Sequence, residues 1–249
     1  MRVMFVSLAT AGHAFPMVPL AAAAREAGHE VWFAAGEAVH EALAAHGLRP
    51  FRPADAFHEI YPEDLEPELA RLRPDLVVHG WGVPGAAVAA RRAAIAGIWH
   101  GFGRMIPEGI GFELPTVVAA DRAHLDICPP SVQDKDFVAS AERIALRPVA
   151  YAEPGGRRDR AGRTARPLVY LTLGTVFGTA ELLGAVIAGL AGLGADVVVA
   201  TGRIAPERLG RLPDGVTASA WVRQAEVLPR ADLVVHHGGS GTTLGALAA

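Results

Sequence analysis

Three sets of residues in this chain have types and spacings suited to chemistry. The first is His236-His237-Gly-Gly-Ser-Gly-Thr242, which follows a short apolar run and leads into a helix predicted to open at Ser240 or Gly241. Glycines allow a sharp turn and the close approach of a ligand. The first turn of a helix presents unpaired N–H groups and the positive end of its dipole, and a histidine just before it adds a donor. Together these describe an anion cradle for phosphate or pyrophosphate. The local pattern leaves one alternative open, an ordinary strand–turn–helix connection in which Gly and Thr serve only the turn. The second set is His13, at the carboxyl end of a predicted first strand, where open α/β sheets place ligands. A neutral imidazole there can take a proton from an incoming hydroxyl; a turn histidine bonded to backbone is its plainer reading. The third set is Gly174-Thr175, Trp221 and Gln224. These offer N–H and hydroxyl groups for an oxyanion, a flat face for a nucleobase, and an amide for a ribose or base edge. A core role is the alternative for Trp221, whereas Gln224 has no structural role legible in the sequence.

Other polar residues carry weaker signals. Asp134-Lys135-Asp136 spells a pattern that can hold a divalent metal, but no strand precedes it and a solvated turn is expected. Asp126, Glu153 and the acidic run 59–68 are expected at the surface. Asp121, His124 and His100 are the candidates for a polar partner of the active site. The segment Gly12-His13-Ala-Phe-Pro lacks the G-x-G-x-x-G spacing of a dinucleotide fingerprint, which argues against an NAD enzyme.

The elements that must position these residues follow from the apolar pattern. Strands are predicted over residues 3–8, 30–34, 48–52, 75–79 and 97–100, with helices over 17–27, 37–45, 63–72 and 85–94 between them. Loops are predicted over 53–62, 101–115 and 126–131, the last because paired prolines disfavour a helix. Residues 152–166 are charged and Gly-rich without apolar periodicity, and read as an exposed linker. A second alternation follows: strands over 167–173, 196–200, 215–220 and 233–236, and helices over 180–193 and 224–228. Such alternation predicts an α/β protein of two Rossmann-like domains, 1–151 and 167–249, joined by the linker 152–166. The second alternation stops at Ala249 inside its last helix, so the C-terminal domain is expected to be incomplete.

Composition bounds the function. The 249 residues suffice for two modest cores. A net charge of −3 without a long basic run argues against nucleic acid as a partner. Cys128 is the single cysteine, which excludes an internal disulfide and a Cys-rich zinc site. Nothing approaches the roughly eighteen apolar residues of a membrane span, and the amino terminus is too brief an apolar run for a signal peptide. A cytoplasmic protein is expected.

The chain resembles the two-domain (GT-B) glycosyltransferases that use nucleotide sugars, in particular the actinobacterial enzymes that decorate antibiotic and polyketide aglycones. Gly12-His13-Ala-Phe-Pro16-Met-Val-Pro19-Leu with Ala27-Gly-His-Glu-Val31 is similar to that family's opening segment, and the resemblance gives His13 the role of general base. Trp221-Val222-Arg223-Gln224 is similar to the family's Trp-x-Pro-Gln motif for nucleobase and ribose, with Arg223 where Pro is usual. His237-Gly-Gly239-Ser240-Gly241-Thr242 is similar to the His-Gly-Gly-x-Gly-Thr segment that binds the donor diphosphate, and Gly174-Thr175 fits the strand tip lining the same site. Asp126-Ile-Cys-Pro-Pro-Ser131 and His100-Gly-Phe-Gly-Arg104 also look like segments of this subgroup.

The resemblance implies an inverting, metal-independent transferase with no cofactor, moving a sugar from a TDP or UDP donor to a hydrophobic aglycone. It leaves a homodimer open. There are departures: residues 51–73 and 112–125 are shorter than in the family, the family's Asp-Gln pair is not reached, and Gly80-Trp81 stands where an acid orienting the base is expected. A non-catalytic nucleotide-binding or helper protein of the same fold, and a sugar-nucleotide epimerase, are the alternatives.

Overall fold

Strand β1 (Arg2–Val6) is apolar on both of its faces, and that property organises the first half of the chain. Val3 and Phe5 point to one side, where they pack with Met17, Val18, Ala21, Val39 and Leu43. Met4 and Val6 point to the other side, against Leu65, Leu69, Ala86 and Ala90. A strand covered on both faces belongs in the middle of a parallel sheet flanked by helices. The computed structural model describes residues 1–53, 60–105, 123–140, 142–155, 165–176 and 178–249. The predicted loops over 53–62 and 101–115 and the linker over 152–166 lie partly outside the described residues, and Asp121 lies wholly outside them. The chain divides into two compact units, Met1–Tyr151 and Ala152–Ala249.

In the first unit β1 pairs in parallel with β2 (Glu30–Ala34) and β4 (Leu76–Gly80). β3 (Arg49–Phe51) lies beside β2; β5 (Ala96–His100), β6 (His124–Asp126) and β7 (Arg143–Ala145) continue beyond β4. The order is β3-β2-β1-β4-β5-β6-β7. Helices α1 (Ala11–Ala14), α2 (Val18–Glu26) and α3 (His40–Ala45) follow β1 and β2, while α4 (Pro62–Leu72) and α5 (Pro84–Arg92) flank β4. A further short helix, α6 (Lys135–Ser140), precedes β7.

Two features differ from the sequence expectation. Residues 9–16, left without an element between the predicted strand 3–8 and helix 17–27, are in part helical: α1 and a 3-10 turn, Phe15–Met17, run into α2. Pro16 and Pro19 each sit in the first turn of a helical segment, where the missing N–H costs nothing. The loop predicted over 126–131 is irregular from residue 127 on, but it lies between two parallel strands of three residues each, β6 and β7, that were not predicted. Runs that short leave no periodic trace.

In the second unit β8 (Leu168–Thr172) is central, between β9 (Asp196–Ala200) and β11 (Leu233–His236), with β10 (Val216–Ser219) outside β9. The order is β10-β9-β8-β11, again all parallel. Helix α7 (Ala180–Ala191) begins at Thr179, whose hydroxyl accepts the Leu182 N–H at 3.2 Å. It buries Leu183, Ile187 and Leu190 on Val169, Leu171, Val197 and Val199. Helices α8 (Gln224–Val227) and α9 (Ser240–Ala248) complete the unit, with Val227 and Leu228 against Tyr170.

Strand order reverses between β1 and β4 in one sheet and between β8 and β11 in the other. Crevices at the carboxyl ends of such neighbouring strands are where α/β sheets bind ligands.

Candidate functional site

At the first reversal point the residues after β1, β4 and β5 bring three rings together. Thr10 is the N-cap of α1, and its carbonyl accepts the N–H groups of His13 and Ala14 at 3.0 and 2.9 Å. That places the His13 side chain on the last turn of α1, with Thr10 Oγ1 2.6 Å from its Nδ1. Phe102 stacks on the imidazole at 4.8 Å and 19°, and Trp81 lies at 6.1 Å and 15°. The two aromatics are themselves 5.9 Å apart. Burial pushes the His13 pKa below its ordinary value, so the imidazole is neutral near pH 7 and has a lone pair to accept a proton. Where the resemblance led to an acid near position 81, the structure places an indole ring. Trp81 and Phe102 were not predicted as a group, because their only shared signal is that each is the first aromatic after a strand tip.

The loop bearing Phe102 is held by a buried polar network centred on Asp126. This carboxylate, expected at the surface, is only 2% exposed. It accepts hydrogen bonds from Cys128 N (2.9 Å), Gln133 Nε2 (3.0 Å) and Arg143 Nε (3.2 Å). These three donors satisfy the charge that burial would otherwise leave costly. Gln133 Oε1 in turn accepts the Met105 N–H at 2.7 Å, fixing the backbone that follows Phe102. Asp134 is a helix cap, its Oδ1 accepting the N–H groups of Asp136 and Phe137 at 3.1 and 3.0 Å. Among the described residues no three His, Cys, Asp or Glu side chains gather as a metal site. His100 and His124, candidates for polar partners of the site, are both buried. His124 packs its ring on Trp99 and Phe137, and burial pushes the His100 pKa down to about 4. Neither touches His13 through a described hydrogen bond.

At the second reversal point the small residues make room for a histidine ring. Gly174, after β8, has φ of +71°, a backbone region that side chains disfavour. A Cβ there would stand 2.6 Å from His237 Cε1, and a Cβ on Gly239 would stand 2.5 Å from His237 Nε2. The imidazole therefore lies between two glycines, exposed to solvent and just ahead of α9. The Gly238 N–H donates to His236 Nδ1 at 3.1 Å, which holds the turn. Burial lowers the His236 pKa, as does the neighbouring His237, so His236 stays neutral. Gly239 is the N-cap of α9 and brings no capping side chain, so the N–H groups of the first turn, at Ser240, Gly241 and Thr242, point out beside His237. Oriented donors and a helix dipole of this kind suit an anion.

The remaining predicted residues divide between supports and exposed groups. Gln224 does have a structural role, since its Nε2 donates to Thr242 Oγ1 at 2.9 Å and to Tyr170 Oη at 3.2 Å. It ties α8 to β8 and to the start of α9. Thr242 is buried and its hydroxyl is engaged in that bond. Val222 packs its side chain on the Tyr170, Val227 and Leu228 cluster. Thr175 is partly exposed beside Gly174. Trp221 is 52% exposed and so is no core residue. Its indole N–H donates to Glu153 at 2.6 Å, so this carboxylate has a partner that the sequence did not show.

Comparison with known proteins gives the family. Residues 184–249 match the family described as erythromycin biosynthesis protein CIII-like, C-terminal domain. The L-demethylnoviosyl transferase of Streptomyces niveus is 32% identical, over 99% of this chain and 76% of its own. The elloramycin glycosyltransferase ElmGT of Streptomyces olivaceus is also 32% identical, over 100% of this chain and 78% of its own. In fold, the chain is similar to the glycosyltransferase SnogD from Streptomyces nogalater, with a TM-score of 0.79 at 24% identity, covering 99% of this chain and 79% of that one. It is similar as well to SsfS6 of Streptomyces sp. SF2575, solved with thymidine diphosphate, with a TM-score of 0.75 at 24% identity and coverage of 98% and 78%. Two Rossmann-like units with a candidate site at each strand reversal fit the 32% identity to two sugar transferases over nearly all of its length, which places the chain in the antibiotic glycosyltransferases of the GT-B fold, enzymes of sugar transfer.

Proposed function

We propose that this enzyme is an inverting glycosyltransferase that moves a sugar from a TDP or UDP donor to a hydroxyl of a hydrophobic natural-product aglycone in the cytoplasm. The observation that carries this reading is the seat of His237 between Gly174 and Gly239 at the N-terminus of α9. It is a cradle of N–H donors suited to an anion such as a diphosphate. The thymidine diphosphate bound in the SsfS6 structure supports a nucleotide diphosphate as its ligand. The exposed face of Trp221 suits the nucleobase, a stacking contact typically worth about 1–3 kcal/mol.

In the first unit the acceptor rests against Trp81 and Phe102, with its hydroxyl on His13. As the acceptor oxygen attacks the anomeric carbon, its proton passes to His13 Nε2 and the bond from that carbon to the diphosphate oxygen breaks. A single displacement inverts the anomeric centre. Charge developing on the leaving diphosphate is stabilised by His237 and the N–H groups of Ser240, Gly241 and Thr242. Family membership in transferases sets aside the epimerase and the non-catalytic helper.

His13→Ala tests the assignment. Titration with TDP and UDP should give the wild-type dissociation constants, while transfer falls by about 10³-fold or more, a loss typical for a base that also orients the nucleophile. Transfer that survives at a similar rate removes His13 from the reaction.

A further inference from the structure

We propose that Thr10 is the residue that orients the catalytic base, its hydroxyl accepting the Nδ1–H of His13 and so directing the Nε2 lone pair at the acceptor hydroxyl. The proposal rests on His13 being the base. Its carrier is a local anomaly in α1. A threonine at a helix N-cap ordinarily turns its hydroxyl to the N–H of the second or third helical residue. Thr10 has the extended backbone of an N-cap, φ −102° and ψ 146°, yet its side chain makes no capping bond. The N–H groups of His13 and Ala14 go to its carbonyl instead, and its hydroxyl lies 2.6 Å from the ring nitrogen of the residue three positions on. The helix forgoes its cap and the histidine gains a partner.

The consequence is a choice of tautomer. A neutral imidazole carries its proton on one nitrogen, and only the Nδ1–H form leaves Nε2 able to accept. A carboxylate, which can only accept, enforces that form. A hydroxyl enforces it only when its own proton points away, and Thr10 is exposed, so water can take that proton. Phe102 and Trp81, stacked on the same ring, limit its rotation but form no hydrogen bond with it. Among the described residues, the hydrogen bond to the His13 ring comes from Thr10.

The test reads the tautomer directly, by ¹⁵N NMR of the full chain labelled at histidine, beside steady-state transfer kinetics. His13 is expected as the Nδ1–H form. Thr10→Val should shift it toward Nε2–H and lower kcat tenfold or more with the donor KM unchanged, and Thr10→Ser should restore both. An Nε2–H wild type, or a tautomer that does not move in Thr10→Val, overturns the proposal. The wild-type spectrum decides even where the valine variant does not fold. Failure of the base assignment shows elsewhere, as transfer that persists in His13→Ala whatever tautomer Thr10 sets.

Discussion

Two histidines stand beside the reversal of strand order in their own sheets, His13 after β1 and His237 after β11, and they are held in opposite ways. His237 is housed by missing side chains: Gly174 and Gly239 leave the volume that its ring fills. His13 is held by side chains that are present: Thr10 on its Nδ1, with Phe102 and Trp81 clustered against its ring. The exposed ring sits among backbone N–H donors, and the half-buried ring sits among aromatics that drive it to the neutral form. Binding an anion asks for accessible donors, whereas taking a proton asks for a desolvated lone pair. On the roles proposed above, the same imidazole can serve both because the fold surrounds it differently.

Burial of histidine extends through the first unit, and this gives the largest predicted contrast. His79 and His100 are 0% and 2% exposed, against a partly exposed His236 and an exposed His237. Burial lowers the His100 pKa from 6.5 to about 4. The folded pKa lies below the unfolded one, so between these values the unfolded chain holds the proton and the folded chain does not. Stability is full above about pH 6.5 and falls as pH drops toward 4, by about 3 kcal/mol from this group alone. In a Trp221→Phe background every remaining tryptophan lies in the first unit, and urea unfolding followed by fluorescence then reports that unit. His100→Gln should flatten its dependence on pH between 7 and 4.5. Equal slopes for the two proteins would mean that His100 does not carry the acid sensitivity.

The seat of His237 is tested by filling it. Gly174→Ala puts a Cβ 2.6 Å from Cε1 at a residue with φ of +71°. The ring must move, and the strained backbone alone costs roughly 1–2 kcal/mol. Donor binding, read as the TDP dissociation constant by calorimetry, should weaken about thirtyfold, which corresponds to about 2 kcal/mol. The pH dependence of the first unit should not change. Unaltered TDP affinity would show that His237 does not contact the diphosphate, and the comparison between the two histidines would then lose its second half.

These two sites were not equally legible. The candidate cradle is a contiguous string of residues 237–242 whose glycine spacing carries its meaning, so sequence reading could propose it. Its supports were hidden. Gln224 and Thr242 meet only because α8 packs beside the start of α9, and Glu153 finds Trp221 across 68 residues of chain. The five-residue apolar strands β1, β4, β8 and β9 announced the α/β alternation. The three-residue strands β6 and β7 did not, and so Asp126 looked like a surface residue when it is the hub of a buried network. In the first unit His13 was visible by its place after a strand, but its aromatic wall comes from positions 81 and 102 on separate strand tips. No local pattern can show a cluster assembled by the order of strands.

The smallest predicted effect separates a ring that is merely exposed from one that is held. Trp221 presents its indole at 52% exposure with its N–H donated to Glu153. An exposed hydrogen bond to a carboxylate is worth on the order of 0.5 kcal/mol, and the expected effect on the donor is through the plane of the ring rather than direct affinity. Glu153→Ala should therefore raise the donor KM about two- to threefold with kcat unchanged. Trp221→Phe keeps a stacking face and loses the N–H, so it removes the same bond from the other side. If the bond orients the ring, the two changes are not additive, and the double variant should be no worse than Trp221→Phe alone. Simple additivity would instead mean that each residue meets the donor independently, and the second site would be assembled, like the first, from separate side chains.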